Sequence, residues 1–274
     1  MGAPGVAVVT GAAGGLGKAV SIELARRGVP VLMVFRDLSR GEVVRREVVQ
    51  LSGNDAVSLV VGDLASLDDV RRLAADITER GAVSTLINTA GVYFATRRLT
   101  IDGLEAMFAV NHLAPYLLTR LLLPALEQAA PGRVVLVSAP STSIPDFSDL
   151  QGEREFRSLR AFGVSKMGNL LFAFALARRV DPSRIKVLAF HPGLMKSALM
   201  QEAPAPLRAF LNLFGRSPAK AGRWLADAVT GNVAAPNGAF LALTKVKQPP
   251  APARREDFQD QMWRLSAELA GLPA

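Results

Sequence analysis

A single doubly wound α/β domain of about seven parallel strands, with helices on both faces, is the fold this sequence predicts. Three observations carry that expectation. Short apolar runs alternate with helical stretches along the whole chain, and such alternation implies parallel pairing through right-handed crossovers. The first apolar run closes on a glycine-rich turn that opens straight into a helix. No boundary linker, repeat or low-complexity segment divides the 274 residues, so 1–274 reads as one domain.

The elements follow in order. Val6-Ala7-Val8-Val9 is an apolar run ending in glycine, the pattern of a buried strand, and helical periodicity continues over about 16–27. Residues 31–35 form the next strand and 39–51 a polar helix. A third strand at 56–61 precedes a helix that opens after Ser66, whose hydroxyl caps it with Asp69 three residues on. The fourth strand lies at 83–87, two helices fill 99–129, and the fifth strand lies at 133–137. A long helix carries Lys166 to about residue 179, a sixth strand occupies 185–190, and a seventh occupies 239–243. An apolar insertion near 194–216, containing Ala203-Pro204-Ala205-Pro206, reads as a lid rather than a linker. Its alternative is ordinary helical core, which has the same spacing.

Composition narrows the chemistry. The absence of cysteine excludes disulfides, thiol redox chemistry and cysteine metal sites. Only His112 and His191 offer imidazole ligands, and neither has a carboxylate cluster around it, so no metal is expected. The start of the chain shows no basic leader or cleavage signal. No apolar stretch reaches the roughly 20 residues of a bilayer span, the best run being interrupted by Arg120. A soluble, cytoplasmic protein without a membrane partner is the expectation. The net charge of +8 comes from scattered arginine pairs such as Arg26-Arg27 and Arg97-Arg98, with no basic, aromatic-interleaved stripe, so no nucleic-acid partner is expected either.

The chemical motif of the first turn is Thr10-Gly11-Ala12-Ala13-Gly14-Gly15-Leu16-Gly17. Glycine permits the sharp turn and lets a pyrophosphate approach the backbone without a Cβ in the way. The helix near Leu16 then aims free N–H groups and its dipole at the phosphates. The second strand ends Phe35-Arg36-Asp37, with Arg40 one helical turn on. A carboxylate there serves the ribose of NAD, whereas the extra phosphate of NADP takes a cation, and a guanidinium binds it through two parallel hydrogen bonds. Arg36 reads as the phosphate ligand and Arg40 as its support, which selects NADPH/NADP+. The alternative is a surface arginine paired with Asp37.

With these residues in view, the chain resembles the short-chain dehydrogenase/reductase family, of Rossmann type, and within it the retinol-dehydrogenase-like branch. The likeness covers almost the whole chain. Asp63-Leu64 matches the family's adenine-contacting pair, and Asn88-Thr89-Ala90-Gly91 matches its Asn-Asn-Ala-Gly run with Thr89 in place of the second asparagine. Asn111-His112-Leu113 matches the helix bearing the family's structural and proton-relay asparagine. His191-Pro192-Gly193, followed by Ser197, resembles the loop that holds the nicotinamide carboxamide. The resemblance implies cofactor contacts from Gly11, Ala13 to Gly17, Asp63, Leu64, Asn88, Ala90, Gly91, Lys166, Pro192, Gly193 and Ser197, and a catalytic part for Asn111 and Lys166.

Two departures bear on the function. Where the family has its catalytic serine this chain has Ala139, in the pair Ser138-Ala139. Where it has its tyrosine, four residues before Lys166, this chain has Phe162. In the family the tyrosine protonates the carbonyl oxygen, the serine steadies it, and the lysine lowers the tyrosine pKa and binds the nicotinamide ribose. Lys166 keeps the ribose role without a phenol beside it. Ser138, Ser141, Tyr93 and Tyr116 are the substitutes the sequence offers. A positioned acid contributes about 10²–10⁴ in rate, which is less than the roughly 7–11 kcal/mol available from proximity. A ketone beside a phenol can therefore react by bringing its own proton. The combination resembles antibiotic-tailoring ketoreductases and implies reduction of an aromatic polyketide ketone, angucyclinone-like, with the lid over an apolar polycyclic substrate. The competing expectations are an NADP-binding regulatory or scaffold protein and a non-redox cyclase or dehydratase. Family members often pair as homodimers through the helices at 112–130 and 162–180, for which Leu117, Leu118, Leu121 and Leu122 are candidates.

Overall fold

The computed structural model describes residues 5–196 and 198–274. Five parallel strands with their crossover helices come first: β1 Val6–Thr10, α1 Gly15–Arg26, β2 Val31–Phe35, α2 Leu38–Ser52, β3 Val57–Val61, α3 Leu67–Glu79, β4 Val83–Asn88 and β5 Gly132–Val137. Between the last two runs one helical rod, α4 Ala106–Phe108, a π-helical turn Ala109–Leu113 and α5 Ala114–Gln128. Then come α6 Ser158–Arg179, β6 Ile185–His191, α7 Ala205–Phe214, α8 Pro218–Thr230, β7 Ala239–Ala242, β8 Lys245–Lys247 and α9 Glu256–Leu269. The sheet order is β3-β2-β1-β4-β5-β6-β7-β8. It holds eight strands rather than the expected seven, and β8 pairs with β7 antiparallel. The sequence conceals β8 because three residues, Lys-Val-Lys, all exposed, present no apolar run.

Strand order reverses between β1 and β4, so the chain leaves this point in both directions. The crevice beyond the C-terminal ends of strands at such a switch is where ligands bind in open α/β sheets. Alternate residues of each strand face opposite layers. Val8 joins the layer of α3, α5, α6 and α9, while Ala7 and Val9 join that of α1, α2 and α8.

The 99–129 region corrects the expectation of two helices. Leu99 and Glu105 form an isolated antiparallel bridge, and the rod starts only after Glu105. The Glu105 carboxylate accepts from Met107 N and Phe108 N, satisfying two of the orphan amides of the first turn. The rod then runs unbroken from Ala106 to Gln128, and it and α6 are long and apolar enough to cross a membrane, contrary to the sequence reading. Both are inside the fold, with 83% and 67% of their most apolar stretches buried.

The C-terminal α9 packs on α6 and covers the rod. Trp263 meets the rings of Tyr116 and Phe172 at 5.5 and 5.9 Å and lies between the guanidiniums of Arg120 and Arg179, each 4.5 Å from its centroid. Leu117, Leu118 and Leu122 are fully buried in this layer, so they offer no pairing surface to a second copy. Burial of each such side chain contributes about 1.5–3 kcal/mol.

Candidate active site

The turn between β1 and α1 needs glycine for two separate reasons. Gly11 and Gly15 have φ of +67° and +52°, in the left-handed region. Gly17 has an ordinary φ, but a Cβ there would collide with Gly11 O and lie 2.7 Å from Thr89 Oγ1. Thr89 thus explains itself: its hydroxyl donates to Thr10 O at 2.5 Å and ties the end of β4 to the end of β1. Gly14 is different again, since a Cβ on it would meet nothing within 4 Å and would project into the open crevice. It caps α1 without a side-chain hydrogen bond, and the first turn holds no carboxylate. The dipole and free amides of α1 therefore meet the crevice unneutralised.

The crevice comprises two adjoining cavities that share Gly11, Ala13, Arg40, Ala90 and Gly91. The first, about 660 Å³, is also lined by Arg36, Asp63 and Leu64. Arg36 and Arg40 are exposed at its mouth. The alternative of an Arg36–Asp37 pair is not what forms: Asp37 caps α2, its Oδ1 accepting from Arg40 N at 2.7 Å. Asp63 is set by its own turn, accepting from Ala65 N at 2.9 Å while its amide donates to Asp69 at 3.1 Å. Ser66 caps α3 as expected, accepting from Asp69 N at 3.2 Å. This half offers a dinucleotide a cation pair for phosphate, a carboxylate and an apolar shelf.

The second cavity, about 530 Å³, is lined by Gly14 to Gly17, Pro192 and Gly193, and by Ala139, Phe162 and Lys166. Its roof is the insertion after β6. Met195 and Arg216 pair as a β-bridge that closes the base of this excursion, and α7 has no buried residue, so it is a lid rather than core. Leu199, Met200, Leu207 and Leu211 line the cavity, whereas Leu213 and Phe214 are 72% and 62% exposed. Three ionisable groups line it among the described residues: Arg40, Lys166 and His191. Burial lowers the His191 pKa. Lys166 is 6% exposed, its Nζ 5.5 Å from the Phe162 ring centroid, and burial lowers its pKa to about 8.

Asn111 stands one layer behind this wall. The π-helical turn carries it, an irregularity frequent at functional sites. Its Nδ2 donates to Val92 O and to Ser165 Oγ, both at 3.0 Å, and its Oδ1 accepts from Val92 N at 2.7 Å. Its carbonyl accepts from Asn169 Nδ2 at 2.8 Å. A Cβ on Gly91 would lie 3.3 Å from Lys166 Nζ and 3.4 Å from Asn111 Oδ1, so glycine lets the loop pass close to both. Asn88 is 2% exposed and turns away from the crevice, its Nδ2 donating to Thr119 Oγ1 at 3.3 Å. Ser197 lies outside the described residues.

None of the four candidate hydroxyls reaches the cavity as a free acid. Ser138 Oγ donates to Lys166 O at 2.6 Å and Ser141 Oγ to Gly163 O at 2.8 Å, so both bind the backbone of α6. Tyr93 is 4% exposed, donates to Ser158 Oγ at 2.9 Å and presents its ring edge-on to Phe162 at 5.7 Å. Tyr116 is fully buried, accepts from Arg120 at 2.5 Å and has its pKa raised by burial. Sequence reasoning missed Arg98, which lines the first cavity, stacks on Phe94 at 4.3 Å and bonds Glu202 of the lid at 2.9 and 3.0 Å. The Arg97-Arg98 doublet was the only signal for it.

The family model described as short chain dehydrogenase matches residues 5–207. Retinol dehydrogenase 11 of Homo sapiens is 35% identical over 274 residues, 98% of this chain and 86% of that protein. An uncharacterized protein from Mycobacterium paratuberculosis superposes with a TM-score of 0.79 at 29% identity, covering 99% of this chain and 96% of its own. A metagenomic short-chain oxidoreductase, solved in complex with NADP, gives 0.63 at 25% identity over 90% of this chain and 97% of its own.

Proposed function

The chain belongs to the short chain dehydrogenase family, and from that premise we propose that it is an NADPH-dependent ketoreductase with a non-standard active site. Its substrate in this reading is a ketone of an aromatic polyketide, angucyclinone-like, whose neighbouring phenol or a water supplies the proton. The observation that carries the reading is the wall of the second cavity. Ala139 and Phe162 stand there beside Lys166 under an apolar lid, and the nearby hydroxyls of Ser138, Ser141 and Tyr93 donate elsewhere. A ketone in this place meets an apolar wall and lid, with no free protein hydroxyl among the described residues.

The residues present fit the cofactor. The α1 amides and Gly11 to Gly17 would hold the pyrophosphate, Arg36 and Arg40 the additional phosphate, Asp63 and Leu64 the adenine, and Lys166, Pro192 and Gly193 the nicotinamide riboside. Bound NADPH would supply the hydride. The protein's own work is then to fix the reacting carbon over that half of the crevice; well-oriented reactants can gain about 7–11 kcal/mol from proximity alone. The lid supports a large, flat, apolar substrate, since Leu199, Met200, Leu207 and Leu211 face it from above.

Consumption of NADPH at 340 nm tests the reading against a polycyclic ketone with an adjacent phenol, its O-methyl ether, and retinal. The expected order is fast turnover of the phenol-bearing ketone and loss of most of that rate on methylation. Equal turnover of ketone and ether removes the substrate-derived proton. No NADPH consumption with any of them, by protein that binds NADPH, removes the reductase.

A further inference from the structure

A neighbouring phenol only lends its proton. When the ketone carbon gains the hydride, the oxygen becomes an alkoxide and takes the phenol hydrogen, and a phenolate remains. The overall reaction still needs one proton, and the developing negative charge sits in an apolar, lidded cavity where an uncompensated anion is costly. Of the ionisable groups lining that cavity, Arg40 lies at the junction with the first cavity, and burial lowers the His191 pKa below its usual value. No carboxylate lines the cavity among the described residues. Lys166 remains: it is buried in α6, turned toward Phe162 and packed against Gly91 beneath the lid.

We propose that the Lys166 ammonium is the acid of this site, stabilising the anion formed on reduction and restoring to the phenol the proton that the new alcohol takes from it. The proposal rests on the reductase reading above and deepens it. The step balances. The hydride that bound NADPH would give up, leaving NADP+, forms the new C–H bond while the carbonyl π pair moves to oxygen. That oxygen takes the phenol proton, the phenolate takes a proton from Nζ, and the neutral amine recovers one from water. Phe162 adds no competing acid, since its ring, 5.5 Å from Nζ, carries no hydroxyl. A lysine pKa lowered to about 8 suits the task, because general acids work best when they titrate near the operating pH.

The groups nearest Lys166 among the described residues carry no charge, and Arg40 and His191 are the other ionisable groups of the cavity. Asn111 and Ser165 come from the π-helical turn and from its own helix, Ser138 from the end of β5, Gly91 from beyond β4 and Leu199 from the lid, and all are uncharged. The test separates this role from ribose binding. NADPH affinity, measured by fluorescence quenching, is compared with kcat at saturating NADPH for the wild type, Lys166→Met and Lys166→Arg. The proposal expects Lys166→Met to lower kcat by about 10²–10⁴ with NADPH saturating. It expects wild-type kcat to be constant at low pH and to fall as pH rises through about 8. Lys166→Arg should restore part of kcat and move that fall beyond the measured range. A Lys166→Met protein that only binds NADPH more weakly, with kcat unchanged at saturation, overturns it. So does a lysine that titrates near 10.5 by NMR of the 13C-labelled side chain with NADPH bound. If the wild type consumes no NADPH with any phenol-bearing ketone, the reductase reading fails and this proposal with it.

Discussion

Removing both guanidiniums at the mouth of the first cavity tests the choice of cofactor. Arg36 follows β2 directly and Arg40 sits one turn into α2; both line the cavity and both are exposed. Hydrogen bonds to charged groups contribute about 1.5–3 kcal/mol, and solvent exposure puts these at the lower end. The double variant Arg36→Ala/Arg40→Ala thus loses about 3 kcal/mol toward a phosphate at the adenosine ribose, roughly 150-fold in affinity. NADH lacks that phosphate, so its affinity should change by no more than about threefold. Asp37 cannot compensate as a ribose ligand, because its carboxylate caps α2. Fluorescence titration with NADPH and NADH at low and high salt decides the matter, and the NADPH difference should shrink with salt. Equal losses for the two cofactors, or no loss for either, would refute the assignment of these arginines.

Three further outcomes are expected. Phe162→Tyr should change turnover of a phenol-bearing ketone by less than about tenfold yet create measurable reduction of a simple ketone; a large gain with both substrates would mean the missing phenol had been limiting. Gly17→Ala places a methyl against Gly11 O and Thr89 Oγ1, which overpacks the β1–α1 junction by about 1–3 kcal/mol and should lower Tm by several degrees in a thermal scan. His112 is buried and neutral, its pKa lowered to about 4 from 6.5 by burial, with Nε2 2.8 Å from Ser266 Oγ. Below about pH 6.5 the unfolded chain binds a proton that the native chain refuses, so stability present at neutral pH is lost as pH falls from about 6.5 to about 4. Urea midpoints at pH 7.5 and 5 should show this, and His112→Gln should flatten the slope; Glu105, whose pKa burial raises, opposes it at lower pH.

Much of the fold is legible in the sequence because parallel strands buried on both faces read as plain apolar runs. Val31 to Phe35 is five apolar residues, and all five are buried. The glycine turn is legible for the same local reason, since its constraints lie within eight residues. What escapes is set by partners distant in the chain. The rod at 106–128 begins late because Glu105 caps it, and a glutamate gives no stop signal for the residues before it. The commitments of Ser138 and Ser141 to the α6 backbone cannot be read from their place after β5, although they remove both as acids. Asn88 and Asn111 look alike as polar residues near the cofactor turn, yet one turns inward and the other braces the wall behind Lys166. Arg98 needed the lid to acquire a role, for its partner Glu202 lies 104 positions away.

The two margins of the sheet are unequal. On one side β3 offers five residues of largely apolar strand. On the other, β8 is three residues long and carries two ammonium groups, Lys245 and Lys247. Short, lysine-bearing borders resist annexation by a neighbouring polypeptide. Fibrillar growth that needs both rims of the molecule is thereby opposed at its β8 side, and a mutant that replaces these lysines with valine should aggregate sooner on heating.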